Sequence, residues 1–434
     1  MSEALKGVKV VDVSQVAAVP ICARHLGDFG ADVLHVENPK TGDSWRVLQA
    51  GQGGNAGVPS EINYTFEAYN RNKRSVGLDL SHEEGRKALY RLVERADVFV
   101  TNLRLWERER FQCGYDMIRK ANPRIIYGSL TAFGKKGPEK NNAAYDATSY
   151  WSRSGLAYML SSPTGTPPNF RSAFGDNVAG LALAYGVMTA LYVREKTGIG
   201  QEVDVALLHA GYYQMTFDVS GALATHKDYA EWRFGPMGLE PEKMAKLTSL
   251  LTEAQQAQQK VADFMRMNAP SPLGIGYETK DGRIMTLSVV HADRIWPQLA
   301  KAVGRADLAD DPRFTTIEAR KAHKEECVAL LTGIFKTRTY AEWRREIDFM
   351  PATSTSTLIE AIEDSQARAN GMFVTYPHPT YGQIEAIANP VVLSETPATY
   401  RLPAPEVGQH TEEALLEAGY TWEEIGALRE KGVI

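Results

Sequence analysis

The chain has 434 residues, with 48 Lys and Arg against 53 Asp and Glu, and a formal net charge of −5. That length exceeds what one hydrophobic core usually serves, so two domains are expected; 44% hydrophobic and 23% charged residues exclude a disordered chain, and the charge balance leaves no basic field for nucleic acid. Cys22, Cys113 and Cys327 are too few and too far apart for a disulfide framework or a zinc site, and with an N-terminus lacking a leader pattern they point to the cytoplasm.

In chain order, Val8–Val13 reads as a buried strand and Ala18–Phe29 as a helix with Pro20 in its first turn. Gly30-Ala31-Asp32 ends that helix, and Val33–Val36 forms a second strand, which makes a parallel crossover unit. Between the first strand and helix, Ser14–Pro20 has no G-x-G-x-x-G, so a dinucleotide cofactor is excluded. Ser75–Leu80 is strand-like and Lys87–Arg95 helical behind an acidic start at Ser81-His82-Glu83-Glu84. Val98–Thr101, Tyr115–Ala121 and Ile125–Leu130 continue the alternation as strand, helix and strand. Such alternation predicts an α/β fold with a doubly wound parallel sheet.

Phe174–Leu207 holds the most informative stretch. Asp176 precedes an uncharged run, Val178–Val193, that ends in Arg194-Glu195-Lys196-Thr197-Gly198, as a helix C-terminus does. The run is short for a membrane span and rich in Gly and Ala, so it predicts a buried core helix. Asp176 reads first as that helix's N-cap; the same position also suits a carboxylate nucleophile, because a helix N-terminus favours the ionised form. Gln201–Leu207 alternates like a strand.

Farther on, Glu240–Met267 reads as a long amphipathic helix opened by Pro241, and Tyr277–Thr279 with Ile284–Val290 as a hairpin turning at Asp281-Gly282. Asp293–Val303, Ile317–Leu331 and Thr339–Arg345 are predicted helices, Phe373-Val374 and Val391–Leu393 strands, and a helix pair starts at His410. The expected division is a large domain over 1–205, a linker over 206–225, a smaller α+β domain over 226–330, and a return through 331–434 that completes the large domain.

Cations cluster after strands, where open α/β sheets bind ligands. Asn70-Arg71-Asn72-Lys73-Arg74 reads as a solvated turn or as a clamp for a phosphorylated ligand. Asn102 and Arg110 follow the Val98–Thr101 strand, and Lys40 follows the second strand. The nine histidines show no metal spacing, and no G-x-S-x-G elbow supports a serine hydrolase.

Gly175-Asp176-Asn177 with Gly180, followed by Arg194-Glu195-Lys196-Thr197-Gly198-Ile199-Gly200-Gln201, resembles the class III CoA-transferase family, the group of formyl-CoA and carnitine CoA-transferases. Gly30-Ala31-Asp32-Val33, Glu37-Asn38-Pro39 to Gly42-Asp43, Asn72-Lys73-Arg74-Ser75, Asn122-Pro123-Arg124 and Gly408-Gln409-His410-Thr411 carry the resemblance along nearly the whole chain. It implies an intertwined, ring-like dimer, formed with a second copy or with a homologous chain. It implies Asp176 as nucleophile, with Gly175 and Asn177 supporting the turn and oxyanion. Val16, Lys40, Lys73, Arg74, Asn102 and Arg110 would contact CoA. The substrates would be acyl-CoA, succinyl-CoA among the candidate donors, and a carboxylic acid, with no permanently bound cofactor, no metal and no membrane partner.

Ala17 stands where formyl-CoA transferase has a glutamine, Asn38 where it has an arginine, and Thr131 and Phe133 where it has a lysine and a tyrosine; its glycine-rich loop has no counterpart around Asn268–Gly274. Tyr145–Gly155 looks more like relatives handling aryl or branched-chain acids, such as phenyllactate, 2-hydroxyisocaproate or benzylsuccinate. The α-methylacyl-CoA racemase branch shares the aspartate but uses a histidine ahead of it, where this chain reads Ala144-Tyr145-Asp146. The resemblance also admits a non-catalytic subunit, against which the intact Asp176 argues, and an acyl-CoA hydrolase, which a transferase avoids becoming only by excluding water.

Overall fold

The computed structural model describes residues 3–47, 58, 60–161, 168, 170–227 and 271–434. It divides the chain into two units, 1–229 with 366–434, and 230–365. The Glu240–Met267 helix expected from sequence lies outside the described residues.

The first unit holds six parallel strands: β1 (Lys9–Val13), β2 (Asp32–Glu37), β3 (Lys73–Gly77), β4 (Val98–Thr101), β5 (Ile126–Thr131) and β6 (Glu202–Ala206). Their order is β3-β2-β1-β4-β5-β6, so the sheet reverses direction of growth between β1 and β4. That reversal is the place where a doubly wound sheet binds ligands, beyond its carboxyl ends. Period-two alternation sends Val10, Val98 and Val100 to one face and Val11, Phe99 and Val13 to the other. On the first face pack α1 (Ala18–Asp28) and, from later in the chain, the long helix Phe174–Thr197. On the second pack Glu83–Val93 and Tyr115–Ala121, with Leu415 and Ile425 of the C-terminal helices Thr411–Glu417 and Trp422–Glu430 and with Val433 just beyond them. The chain's end thus completes the core that its beginning started.

The long helix departs from the expected fully buried core helix. Leu183, Val187 and Leu191 are buried, whereas Tyr185 is 75% and Tyr192 65% exposed. Because the segment is apolar all round, burying one face leaves a second apolar stripe, Phe174, Leu181, Tyr185, Met188 and Tyr192, on the other. Among the described residues it is the one helix long and apolar enough to cross a membrane.

Residues 206–225, expected as a linker, form two helices, Leu207–Gln214 and Thr216–Thr225. The expected boundary at 330 falls inside the helix Lys324–Phe335, and the division comes at 365/366. The second unit packs Trp296, Phe335, Trp343 and Tyr277 between helices and a three-stranded antiparallel sheet, Gly276–Glu278, Ile284–Leu287 and Ala352–Ser354. The helix expected over Ile317–Leu331 is two, because His323 leaves helical geometry at φ −107°, ψ 37°. Val391–Leu393 is not a strand; its side chains are exposed, and Val391 N–H donates to Asn389 Oδ1. The strand expected over Ser75–Leu80 starts two residues earlier, at Lys73, whose side chain is drawn into the core by Asp12.

Candidate active site

The turn Ser14-Gln15-Val16-Ala17 leaves the carboxyl end of β1 and reaches α1. Val16 has φ 70°, a left-handed conformation that costs a β-branched residue on the order of 1–3 kcal/mol. Side chains hold it there from three directions. Asn102, just after β4, accepts from Gln15 N–H at 3.0 Å and donates to Gln15 C=O at 2.7 Å. The Asp43 carboxylate accepts Val16 N–H at 3.0 and 3.2 Å. The Ser14 hydroxyl donates to Asp12.

This turn walls a pocket of about 260 Å³ that Asp176, Arg104, Lys140, Tyr145 and Leu207 also line. A neighbouring pocket of about 380 Å³ shares Gln15 and is lined by Asn38, Asp79, Arg110 and Phe111. Both open beyond the carboxyl ends of β1 and β4. A small apolar cluster, Val16, Ala17, Ile21, Ala173, Trp45 and Tyr69, lies against the turn, with Trp45 and Tyr69 stacked at 5.1 Å. Burial raises the Tyr69 phenol and Asp176 raises it further, so the two lie within electrostatic reach.

Asp176 is not the N-cap. Ala173 is, at φ 65°, and Asp176 sits in the first helical turn. Its carboxylate makes no hydrogen bond among the described residues. Burial, and after it the Asp146 carboxylate, push it from 3.8 up to about 7. Asp146 is the residue that sequence reasoning passed over. It heads a π-helical turn, Ala147–Arg153, and its Oδ1 accepts Gly175 N–H at 3.1 Å. Burial pushes it up to about 6, against the pull of the Gly175, Phe174 and Ala173 amides. Two carboxyls of opposed environment thus share one corner: one is held by amides, the other is free. The signal in the sequence is the acid at 146 itself, which reads there only as a position without a histidine.

Gly175 is needed for this approach. A Cβ there would stand 2.2 Å from Tyr150 Cγ and 2.4 Å from Asp146 Oδ1. Its amide is committed to Asp146, and the Asn177 amide and side chain both donate to Ala173 C=O at 2.9 Å. Both main-chain amides are thus engaged, and the Asn177 side chain also hydrogen-bonds the Tyr69 phenol.

The expected contact residues divide. Val16 and Asn102 line the Asp176 pocket, and Arg110 lines its neighbour. Lys40 is exposed beside Asn38. Lys73 and Arg74 line neither pocket. Lys73 is fully buried and donates to Asp12 at 2.9 Å and Asn70 at 2.8 Å. Arg74 pairs with Asp32, Glu413 and Glu417, and Arg71 pairs with Asp28. Each cation of the supposed phosphate clamp is matched by acids, so the motif ties β3 to the core and to the C-terminal helix.

The model of CoA-transferase family III matches residues 5–235 and 241–411. (R)-2-hydroxy-4-methylpentanoate CoA-transferase of Clostridioides difficile is 31% identical, with 99% of each chain covered. Cinnamoyl-CoA:phenyllactate CoA-transferase of Clostridium sporogenes is 29% identical over 97% of this chain and 95% of its own. Among solved structures, a CAIB/BAIF family protein from Brucella suis superposes with a TM-score of 0.74 at 26% identity, covering 96% of this chain and all of its own.

Proposed function

The chain belongs to CoA-transferase family III, and from that premise we propose that Asp176 is the nucleophile of an acyl-CoA:carboxylate CoA-transfer. One observation carries the assignment: a carboxylate with no hydrogen bond among the described residues, pushed up to about 7, lines a pocket at the switch point of the sheet.

A carboxylate oxygen of Asp176 attacks the thioester carbonyl of the donor. The C–S bond breaks, CoA leaves as thiolate, and an aspartyl–acyl anhydride remains. The thiolate then attacks the aspartyl carbonyl and expels the donor acid as carboxylate, which leaves an aspartyl-CoA thioester. The acceptor carboxylate attacks that thioester, the C–S bond breaks to release CoA thiolate again, and an aspartyl–acceptor anhydride forms. The thiolate finally attacks the acceptor's acyl carbon, giving the new thioester and free Asp176. Every intermediate is an activated acyl species, so the exchange needs no other energy source.

Val16, Asn102, Arg110 and Lys40 are the CoA contacts of this reading, with Arg104 and Lys140 as further cations at the pocket. Trp45, Tyr69, Ala17 and Ile21 give the region around Asp176 an apolar wall, which favours an aryl or branched-chain acid. The two relatives' named substrates, a branched hydroxy acid and phenyllactate, support that class. The apolar stripe of the Phe174–Thr197 helix supports self-association, with a second copy or a homologous chain covering it. Three buried free cysteines suit the cytoplasm.

The raised pair Asp146 and Asp176 also suits proton transfer, which keeps an α-proton-exchanging reading in view. The test is peptide mass spectrometry after mixing the protein with succinyl-, acetyl-, aryl- and branched-chain acyl-CoAs and quenching with hydroxylamine. A hydroxamate on Asp176 is the expected result. No label with any donor, together with deuterium entering the acyl α-carbon from D2O, overturns transfer in favour of proton exchange.

A further inference from the structure

Behind the Gln15–Ala17 turn lies a buried chain of polar groups that no step of the proposed exchange uses. Asp12 on β1 accepts from Lys73 of β3 at 2.9 Å through Oδ2. His35 of β2 places Nδ1 3.0 Å from the same oxygen. Its other nitrogen, Nε2, is buried without a hydrogen-bond partner among the described residues and faces Asp43 Oδ2 at 3.7 Å. Asp43 in turn holds the Val16 amide. His35, Asp12 and Asp43 are all fully buried in their side chains.

We propose that His35 is a positioning residue for thioester binding: packed between the Asp12 and Asp43 carboxylates, it keeps Asp43 under the Val16 amide, so that the Gln15–Ala17 turn presents one fixed wall in front of Asp176. The inference rests on reading the Asp176 pocket as the acyl-CoA site.

A β-branched residue stays in the left-handed region only where its surroundings over-determine it. Here the determinant is a carboxylate, and a buried carboxylate needs a partner of opposite charge. The Trp45 amide donates to Asp43 Oδ1 at 2.8 Å, which satisfies one oxygen, but among the described residues no cation contacts Asp43 except through His35. The other groups facing the cluster are Glu37 on β2, itself paired with Arg46, the Cys22 thiol on α1, which burial pushes up, and Arg24 on α1, which reaches Lys73 electrostatically and also faces Asp28. Asp12, Asp43 and Glu37 exceed Lys73 and Arg46 by one negative charge, and an imidazolium at position 35 closes that gap. Burial pushes His35 down, but Asp12 outweighs it and holds the ring above its ordinary value. With both nitrogens protonated, Nδ1–H donates to Asp12 and Nε2–H points at Asp43.

The probe is S-acetonyl-CoA, a thioether that cannot be cleaved, titrated calorimetrically into the parent, His35→Gln, Val16→Gly and the double variant, each checked for native circular dichroism. His35→Gln is expected to bind about tenfold more weakly than the parent. In the Val16→Gly background the same change should cost about threefold or less, because glycine enters the left-handed region without support. A merely structural role would give the same factor in both backgrounds, and that result, or binding by His35→Gln within about twofold of the parent, overturns the proposal. Should His35→Gln fail to fold, Asp43→Asn and Asp43→Ala decide. Asn keeps an oxygen for the Val16 amide, so it should bind between the parent and Ala, and equal binding by all three overturns the role. A parent that binds no thioether fails the acyl-CoA reading itself and this inference with it, whereas equal binding by parent and variants removes only the positioning role.

Discussion

Asp146→Asn tests the electrostatics of the site most directly. Asp176 stands at about 7 against an ordinary 3.8, with burial as the larger cause and the Asp146 charge as the second. Removing that charge therefore returns less than half of the shift, roughly one unit, or about 1.4 kcal/mol of ionisation free energy. The substitution is mild, since an asparagine oxygen still accepts the Gly175 amide that Asp146 Oδ1 accepts at 3.1 Å. In the proposed exchange Asp176 attacks as the carboxylate, so the rate of CoA release in a single turnover should rise with pH to a plateau. The parent's midpoint should lie near 7 and the variant's near 6. At pH 6 the ionised fraction then goes from about 9% to about 50%, a rise of about fivefold relative to each protein's own plateau. Asp146 is itself pushed up to about 6, so the parent's two carboxyls titrate as a pair and the difference should fade below that pH. The assay is stopped-flow detection of free thiol from pH 5 to 9. An unmoved midpoint, or one displaced upward, would show that Asp176 does not feel Asp146.

Three further outcomes follow from the same structure. Because the folded protein holds the Asp176 proton in a window where the unfolded chain gives it up, stability is lost as pH rises from about 4 to about 7; Asp176→Ala should abolish transfer yet melt higher than the parent at pH 8, by on the order of 2 kcal/mol, and not at pH 4. Lys73→Met leaves the buried Asp12 carboxylate without its ammonium, and should lower stability in urea by about 3–5 kcal/mol; a loss under about 1 kcal/mol would mean the pair is dispensable. Tyr185→Asp with Tyr192→Asp should halve the mass measured by light scattering, and an unchanged mass would take the exposed helix stripe out of any interface.

The sheet was legible because its signal is local. Val98–Thr101 and Tyr115–Ala121 could be bounded to the residue from apolar runs and helix flanks. Asp176 was legible as a chemical group through the motif around it, but not as a titrating one. Its shift comes first from burial and then from Asp146, thirty residues away in sequence and brought close where Gly175 has no side chain. The cations at 71, 73 and 74 misled for a related reason. A basic cluster on paper carries no record of the acids that meet it, and Asp28, Asp12 and Glu417 come from three distant elements. The half-exposed helix misled in another way: an all-round apolar segment reads as buried, whatever is to cover its second face.

The value held at Asp176 bears on how the proposed exchange passes CoA from the donor to the enzyme. The first turn of a helix favours the ionised carboxylate, which taken alone would hold it low. Burial and Asp146 win, and the outcome is near 7. A carboxylate of ordinary basicity would attack a thioester weakly, and once acylated would leave as readily as the donor acid, so the returning thiolate would have no preference between the two carbonyls of the anhydride. Raising one carboxylate above its partner makes the attack on the thioester more favourable and makes the less basic donor acid the better leaving group. The thiolate's attack is thereby steered to the aspartyl carbonyl, which is the step that passes CoA to the enzyme. A group raised much farther would be mostly protonated and unable to attack at neutral pH. A carboxyl near 7 is about half ionised at neutral pH, so the proposed nucleophile would keep both its reactive form and the greater part of its added basicity.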